Sequence, residues 1–453
     1  MTLLVNATHL YLNSFRFRNR AFYDLENAEF VEAWEPATTS QILEVRGIPM
    51  GIRYDSHLWR ASRLVGAAAF LLAAVLTGPA NGDEKVPGVT PNKILIGSCT
   101  ALEGPASYLG MQTVLGALTY FHIVNDQGGI HGRTIELHMF DDGYDPDKTA
   151  FCFGRLMKQG VFATGFYVGT STAVKYLPMA EQQKVPIVGM FTGAPVLSEP
   201  PKHYVINIRA TYDDETREQI DSLWQARGIH RVGVIYQDDV FGKAVLDGVQ
   251  RALEKHHASP AGLGTFPRNT LDVTEGMKAV REAKPEAVIL AGPYAPVAAI
   301  LKKAHADGWS PLFLAVSFVG TEGLVRAAGK DADGTVITQV VPPYDRTELP
   351  TIKLYRDALE KYMSGTEPSF VSLEGFVDAM VIVEGLKRAG KDLTREKFIG
   401  ALESIHKQDL GLGPKFLLDY SPKNHKGFDT VYATVIRNGR AVVITNWKSL
   451  TGD

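Results

Sequence analysis

Hydroxyl side chains follow two of the buried strands that the sequence predicts. The first loop contains Thr170, Ser171 and Thr172, and the second contains Thr192 and Gly193. A helix is predicted to begin at the first of these loops, where its first backbone N–H groups have no partner inside the helix. Hydroxyls beside free N–H groups bind an anion such as a carboxylate. The structural alternative is a plain helix cap in the first loop and a plain turn in the second.

Aromatic residues occur in the second of these loops and at other strand ends. They are Phe191, beside Thr192, and Phe241 and Tyr294 after later strands, and Tyr108 lies near the start of the first predicted helix. Another hydroxyl, Ser317, follows a later strand. Aromatic walls enclose the apolar part of a small molecule while polar groups fix its other end. These loops contain few charges and no nucleophile–base pair, so the pattern favours binding of a small solute over catalysis.

Signatures of catalysis are absent from the sequence. It contains no G-x-x-x-x-G-K-[ST], no G-x-G-x-x-G after a strand, no H-E-x-x-H and no G-x-S-x-G. The acid pairs Asp141-Asp142 and Asp238-Asp239 follow strands and would be the carboxylates available to an enzyme. More often such residues cap helices or turns. We therefore expect no catalytic residue, no metal and no cofactor.

Composition narrows the class of protein. The 453 residues allow two or three domains, and 45% apolar residues exclude disorder as the main state. The 47 Lys and Arg face 50 Asp and Glu without a long basic run, which excludes a nucleic-acid partner. The two cysteines, Cys99 and Cys152, are expected to be buried thiols; one disulfide is the alternative if the chain is exported.

An export signal is predicted ahead of these loops. Residues 64–76 form an uncharged apolar run, shorter than the roughly 20 residues that a membrane span needs. Arg60 and Arg63 precede this run, and Ala80 and Gly82 follow it at the spacing of a cleavage site. The pattern is typical of a secretory signal peptide and predicts a periplasmic protein, cleaved near Gly82.

The N-terminal region is divided accordingly. We expect the signal peptide to span residues 50–82, from Met50, and residues 83–91 to be a linker. Residues 1–49 show no helical or strand period, which favours a mis-called start or an unstructured extension.

Strand and helix patterns alternate in two series after residue 92. Ile94–Cys99 opens the first series and Arg231–Tyr236 the second. Asp145 is a predicted N-cap ahead of Pro146, and Asn438-Gly439 predicts a tight hairpin. The alternation predicts an α/β fold with two doubly wound parallel-sheet lobes. Ligands of such sheets bind outside the carboxyl ends of the strands, where the hydroxyl and aromatic loops lie.

Several segments, taken in order, carry a family resemblance. They are KILIGSCTALEGPASYLG, NDQGGIHGR, FDDGYDPDKTA, GTST, KVPIVGMFTGAP, YQDDVFGKA and VILAGPYAP. Through most of 92–445 the chain resembles the solute-binding proteins of ABC importers, in the branched-chain amino acid group with the type I periplasmic-binding fold. The resemblance implies a hinge of three crossovers. One lobe would be 92–210 plus 343–425 and the other 211–342 plus 426–453.

The resemblance also implies site residues and partners. Thr170, where the family usually has Ser, and Ser171 would bind the ligand's α-carboxylate. Phe191–Gly193 would contribute backbone groups and the Thr192 hydroxyl, and Phe241 and Tyr294 would supply aromatic contacts. The implied partners are a small-molecule solute and an ABC permease in the inner membrane, with the chain itself a monomer.

One position departs from the family pattern. Ser317 stands where the branched-chain binders have an acid that pairs with the ligand's α-ammonium. Either another acid replaces it, with Asp213, Asp238 and Glu103 as candidates, or the ligand lacks an α-amine. The predicted function is capture of a small carboxylate-bearing solute: an amino acid, an amide, or an aromatic or aliphatic acid. The alternatives are a sensor that feeds a receptor and an α/β enzyme that joins one of the strand-end aspartates to a histidine.

Overall fold

The computed structural model describes residues 85–450. The predictions for the signal peptide and for residues 1–49 lie outside these residues. In the described part of the predicted linker, Val89 pairs with Ile94 through an isolated bridge. Within residues 85–450 no helix is both long enough and apolar enough to cross a bilayer.

The first sheet is built from the first five strands. They are β1 (Lys93–Thr100), β2 (Thr134–Asp141), β3 (Ala163–Gly165), β4 (Ile187–Val188) and β5 (Val205–Ile206). The order is β2-β1-β3-β4-β5 with parallel neighbours. Three helices connect the first four strands: α1 (Ser107–Asp126), α2 (Pro146–Gln159) and α3 (Thr170–Gln182).

The second sheet repeats this winding. Its parallel strands are β6 (Val232–Gln237), β7 (Gly262–Phe266), β8 (Ala287–Ala291), β9 (Leu312–Ala315) and β10 (Val336–Gln339). The helices are α4 (Tyr212–Ser222), α5 (Val240–Glu254), α6 (Thr274–Glu282), α7 (Tyr294–Ala306) and α8 (Thr321–Ala328).

The remaining elements return to the first sheet and then to the second. The helices α9 (Pro350–Tyr362), α10 (Phe370–Ala389) and α11 (Arg395–Glu403) share a buried core with β1 and α1. Two short strands, β11 (Gln408–Asp409) and β12 (Leu417–Leu418), pair with each other. The hairpin of β13 (Tyr432–Arg437) and β14 (Arg440–Val443) adds to β10, which gives the order β14-β13-β10-β9-β8-β6-β7.

The chain therefore crosses between the sheets three times: after β5, after β10 and before β13. The predicted fold class is confirmed, and the predicted lobe boundaries, which stay a prediction, fall within these crossings. Strand order reverses between β1 and β3 in one sheet and between β6 and β8 in the other. Such switch points leave a space at the carboxyl ends of the strands in which a ligand binds.

Local signals placed several elements correctly. Asp145 caps α2 by accepting the N–H of Asp147 at 2.8 Å and of Lys148 at 3.2 Å. Arg437 and Arg440 pair across the Asn438-Gly439 turn as the hairpin requires. The sequence did not predict α8, and the apolar run over residues 161–168 forms a strand only over Ala163–Gly165.

The expectation of two free thiols was wrong. Cys99 on β1 and Cys152 on α2 form a disulfide, with their Cα atoms 6.0 Å apart. The sequence could not show this, because the pairing depends on α2 packing across the face of β1.

Removing this disulfide should lower the free energy of unfolding. Cys99 and Cys152 are separated by 53 positions, so the bond restricts a long loop of the unfolded chain. We expect the double Ala variant to lose about 2–4 kcal/mol in denaturant unfolding. A reducing agent should destabilise the wild type similarly and leave the variant unchanged; a variant as stable as the oxidised wild type would contradict this.

Candidate ligand-binding site

The two hydroxyl loops lie side by side at the carboxyl edge of the first sheet. An isolated parallel bridge joins Val168 to Phe191, and the Phe191 N–H donates to the Tyr167 carbonyl at 2.8 Å. This arrangement places the buried hydroxyl oxygens of Thr170 and Thr192 2.7 Å apart. The structure thus brings together the two threonines that the sequence singled out.

The start of α3 offers donors beside this pair. No side chain caps the helix, which leaves backbone N–H groups of its first turn for an anion. The preceding Gly169 has φ 99°, and a Cβ there would lie 2.4 Å from the Tyr144 ring, so only glycine fits. Thr172 donates its hydroxyl to the carbonyls of Val168 and Gly169 and so holds the turn together.

Residues from the second sheet reach this helix start. Ser171 donates its hydroxyl to Oδ2 of Asp239 at 2.9 Å. Oδ1 of Asp239 caps α5 by accepting the Gly242 N–H at 3.1 Å. Oδ2 also accepts from Gln237 at 2.6 Å and from Arg268. The acid that faces the hydroxyl loop is therefore Asp239. We call the region where the strand-end loops of the two sheets meet the crevice.

A second set of contacts runs from Arg268 to Tyr144, which follows β2. The guanidinium carbon lies 3.5 Å from the centre of the Tyr144 ring, and Nε donates to the Tyr144 carbonyl at 2.8 Å. Gln237 donates to the Tyr144 hydroxyl at 3.2 Å. These contacts and the Ser171–Asp239 bond join the loops of the two sheets along one side of the crevice.

Aromatic rings fill the centre of the crevice. The Phe318 ring lies 4.3 Å from Phe241 and 5.6 Å from Phe191, and Tyr212 lies 5.4 Å from Phe241, between ring centres. Phe191 follows a strand of the first sheet and Phe318 one of the second, so these rings meet across the crevice. The sequence predicted Phe191 and Phe241 but not Phe318, although it lies beside Ser317.

The far side of the crevice carries the two predicted tyrosines. The rings of Tyr108 and Tyr294 meet edge to face with centres 5.8 Å apart. Tyr108 donates its N–H to the Tyr294 hydroxyl at 3.5 Å.

At the hydroxyl loops, the Gly193 carbonyl accepts the Tyr212 N–H at 2.7 Å, so this glycine fixes the turn.

A buried ion pair lies beneath the aromatic rings. Arg209 donates to one oxygen of Glu215 and one of Glu374, each at 3.1 Å, and its guanidinium carbon lies 5.2 Å from the Phe191 ring centre. Ser317 donates its N–H and hydroxyl to Glu215 at 2.7 and 2.9 Å and contacts Arg209. The Ser317 hydroxyl, predicted to contact ligand, is thus engaged in this ion pair.

Carboxyl groups outnumber the single arginine in this cluster. Arg209 faces three buried acids: Glu215, Glu374 and, at longer range, Asp378. Burial raises the pKa of each carboxyl, and the arginine partly opposes that rise. The cluster joins α4, which packs on the second sheet, to α10, which packs on the first.

Asp378 should make the protein less stable as pH rises. Its carboxyl lies against Gly189, and one oxygen has no hydrogen-bond partner. Burial and then Glu374 raise its pKa well above the usual range, so the folded chain keeps a proton that the unfolded chain releases. The associated stability is present at low pH and is lost as pH rises. Asp378→Asn should gain in melting temperature relative to wild type between about pH 5 and about pH 8; a constant difference would contradict this.

A known protein family matches most of this chain. The family model for periplasmic binding proteins matches residues 93–441. The chain belongs to this family. The resemblance drawn from its motifs is therefore confirmed.

Individual relatives of this periplasmic binding protein agree. A solved structure described as a possible leucine/isoleucine/valine-binding protein from Rhodopirellula baltica SH 1 is 33% identical, with a TM-score of 0.76 over 81% of this chain and 99% of that one. The Leu/Ile/Val-binding protein of Escherichia coli K12 is 20% identical over 60% of this chain and 73% of its own. A fatty acid ABC transporter substrate-binding protein from Thermomonospora curvata, 24% identical over 80% and 94% of the chains, has the same fold, with a TM-score of 0.71.

The acids named from sequence lie elsewhere in this binding protein. Asp213 pairs with Arg251 at 2.6 Å. Asp238 pairs with Lys243, its side chain 57% exposed, and Glu103 is exposed. None of the three is a buried partner for a charged ligand.

The acids considered for catalysis also have structural partners. Asp141 accepts backbone N–H groups of the loop after β1, and Asp142 accepts the Tyr144 N–H and the Thr149 hydroxyl. Among residues 85–450, no group of three or more His, Cys, Asp or Glu is placed to hold a metal ion.

Proposed function

We propose that this chain is the exported, periplasmic solute-binding component of an ABC importer, which captures a small carboxylate-bearing solute in the crevice. One observation carries the proposal: the paired hydroxyls of Thr170 and Thr192 lie at the uncapped start of α3, and aromatic rings of the second sheet lie opposite. Membership of the periplasmic binding protein family supports it, as does the likeness to the possible leucine/isoleucine/valine-binding protein of Rhodopirellula baltica.

Each predicted site residue then has a role. The carboxylate is held by Thr170, Thr192 and the N–H groups of α3, with Ser171, whose hydroxyl donates to Asp239 across the crevice, beside it. The apolar part packs against Phe191, Phe241 and Phe318. Tyr108 and Tyr294 line the opposite side. Thr172, Gly193 and Ser317 position these groups, since their polar atoms are engaged within the protein.

Binding couples to closure of the crevice. The contacts of Asp239 with Ser171 and of Arg268 with Tyr144 form only when the strand edges meet. A solute that touches both sides favours the closed form by its differential affinity. Micromolar affinity corresponds to about 8 kcal/mol, which several hydrogen bonds to a carboxylate and an enclosed apolar part can supply. The closed monomer then delivers the solute to a permease in the inner membrane.

Titration calorimetry with a panel of amino acids, amides, and aromatic and aliphatic acids tests the proposal. We expect one solute per chain, a raised melting temperature, and recovery of the solute unaltered after denaturation. Failure of the whole panel to bind, or release of a chemically changed product, would refute the proposed function.

A further inference from the structure

Two polar side chains on the second sheet's side of the crevice have hydrogen-bonding capacity to spare. Gln237, the last residue of β6, is fully buried, and Arg268 follows β7 with a side chain that is only 15% exposed. Among the described residues, none accepts from Nη2 of Arg268 or donates to Oε1 of Gln237, and both atoms are buried. Buried polar atoms left unpaired cost free energy, which a group that pairs with both atoms would recover.

These two side chains converge on the same partners. Nε2 of Gln237 and Nη1 of Arg268 both donate to Oδ2 of Asp239. Gln237 also donates to the Tyr144 hydroxyl at 3.2 Å, and Arg268 donates to the Tyr144 carbonyl at 2.8 Å. Because a carboxylate only accepts hydrogen bonds, the Gln237 amide nitrogen must face Asp239, and the amide oxygen is the spare acceptor. A spare donor and a spare acceptor therefore lie on neighbouring side chains.

This donor–acceptor pair adjoins the proposed carboxylate site. Ser171 of the hydroxyl loop donates at 2.9 Å to Oδ2 of Asp239, the same atom that both side chains bond. Tyr144, their other shared partner, packs against Gly169 just ahead of α3, where a Cβ would lie 2.4 Å from its ring. The Tyr144 ring centre is also 6.1 Å from that of Phe318. The pair thus lies near both the carboxylate site and the aromatic rings, where the first carbon after the solute's carboxylate passes.

The chemistry of the pair selects among polar groups. The charge of Arg268 is already balanced by Asp239 in a salt bridge, so a second carboxylate of the solute would gain little and would face the Gln237 oxygen. A keto oxygen can only accept from Arg268, and an ammonium group can only donate to Gln237. A hydroxyl group both accepts and donates, so it satisfies both side chains.

We propose that Arg268 and Gln237 determine specificity by binding a hydroxyl group on the carbon next to the solute's carboxylate, an inference that rests on the proposed function. The hydroxyl accepts from Nη2 of Arg268 and donates to Oε1 of Gln237. The solute class is thus a 2-hydroxy acid with an apolar body. Because the carboxylate binds to the first sheet and the hydroxyl to the second, such a solute favours the closed form.

Two series of probes that differ only at carbon 2 test this inference. One series is 4-methylpentanoate, its 2-oxo derivative, both enantiomers of its 2-hydroxy derivative, and L-leucine. The other is 3-phenylpropanoate with the corresponding derivatives and L-phenylalanine. Calorimetry measures the Kd of each probe, so each series gives the preference for the hydroxyl as a ratio of affinities.

The variants separate binding of the hydroxyl from a structural role. Arg268→Lys keeps a cation beside Asp239 but lacks the second NH₂ branch, and Gln237→Met keeps the side-chain length but lacks the amide. Arg281→Lys is the matched control, since Arg281 pairs with Asp307 and its side chain is 48% exposed. The melting temperature of each variant without solute verifies folding. A purely structural role would weaken all members of a series equally and leave the ratio unchanged.

We expect the wild type to bind one enantiomer of a 2-hydroxy acid about 10- to 100-fold more tightly than the other members of its series. Arg268→Lys and Gln237→Met should each remove most of this preference, and Arg281→Lys should retain it. A wild type that prefers another member, or a preference that survives both crevice variants, overturns this inference while the proposed function stands. If no probe binds the wild type, this inference fails, and the broader solute panel decides the proposed function.

Discussion

Replacing Arg209 with Met should lower the free energy of unfolding by about 3–5 kcal/mol. The arginine side chain is only 3% exposed and bridges Glu215 to Glu374. Methionine matches its length but leaves buried carboxylates without a cation, and the cost of an unpaired buried charge exceeds that of losing the contact alone. Denaturant unfolding at neutral pH measures the loss.

The control for this variant is Arg251→Met. Arg251 forms a comparable pair with Asp213, but its side chain is 50% exposed, so we expect a change of about 1 kcal/mol or less. Equal losses in the free energy of unfolding would contradict this account, because the buried ion pair would then stabilise the protein no more than the exposed one.

The second large effect concerns binding. Thr170→Val combined with Thr192→Val keeps the side-chain shapes and removes both hydroxyls that lie 2.7 Å apart. Each hydrogen bond to a carboxylate contributes about 1.5–3 kcal/mol. We therefore expect the affinity for the best carboxylate solute to fall by about 100- to 10,000-fold in calorimetry.

Thr119→Val provides the matched control. Its hydroxyl is also buried and bonds the Leu115 carbonyl within α1, away from the crevice. This variant should bind the solute as the wild type does. Wild-type affinity in the double variant would remove the hydroxyl pair from the site.

Regular elements could be predicted because their signals are local. The apolar run at β1, the Asp145 cap ahead of Pro146 and the Asn438-Gly439 turn each determine structure within a few residues. Two-residue strands such as β5 carry too little pattern to be recognised. The Cys99–Cys152 pair depends on how a helix packs over a strand, which spacing does not show.

In the site, too, the residues that local signals place could be predicted, and those that depend on long-range packing could not. Thr170 and Thr192 could be placed together because they follow neighbouring strands of one sheet. Asp239, not Asp238, faces Ser171, a difference of one position that only the cap of α5 decides. The bond between Arg209 and Glu374 joins residues 165 positions apart and needs the second crossing to bring α10 back.

A crystal structure of the protein with the solute that raises its melting temperature tests the central claim most directly. We predict the solute's carboxylate at Thr170 and Thr192 and its apolar part against the rings of Phe191 and Phe318. The competing location is an outer pocket of about 460 Å³ at the opposite strand ends of the second sheet, beside Trp309 and Asp331. A solute found there, with the crevice closed on its own side chains, would contradict the account.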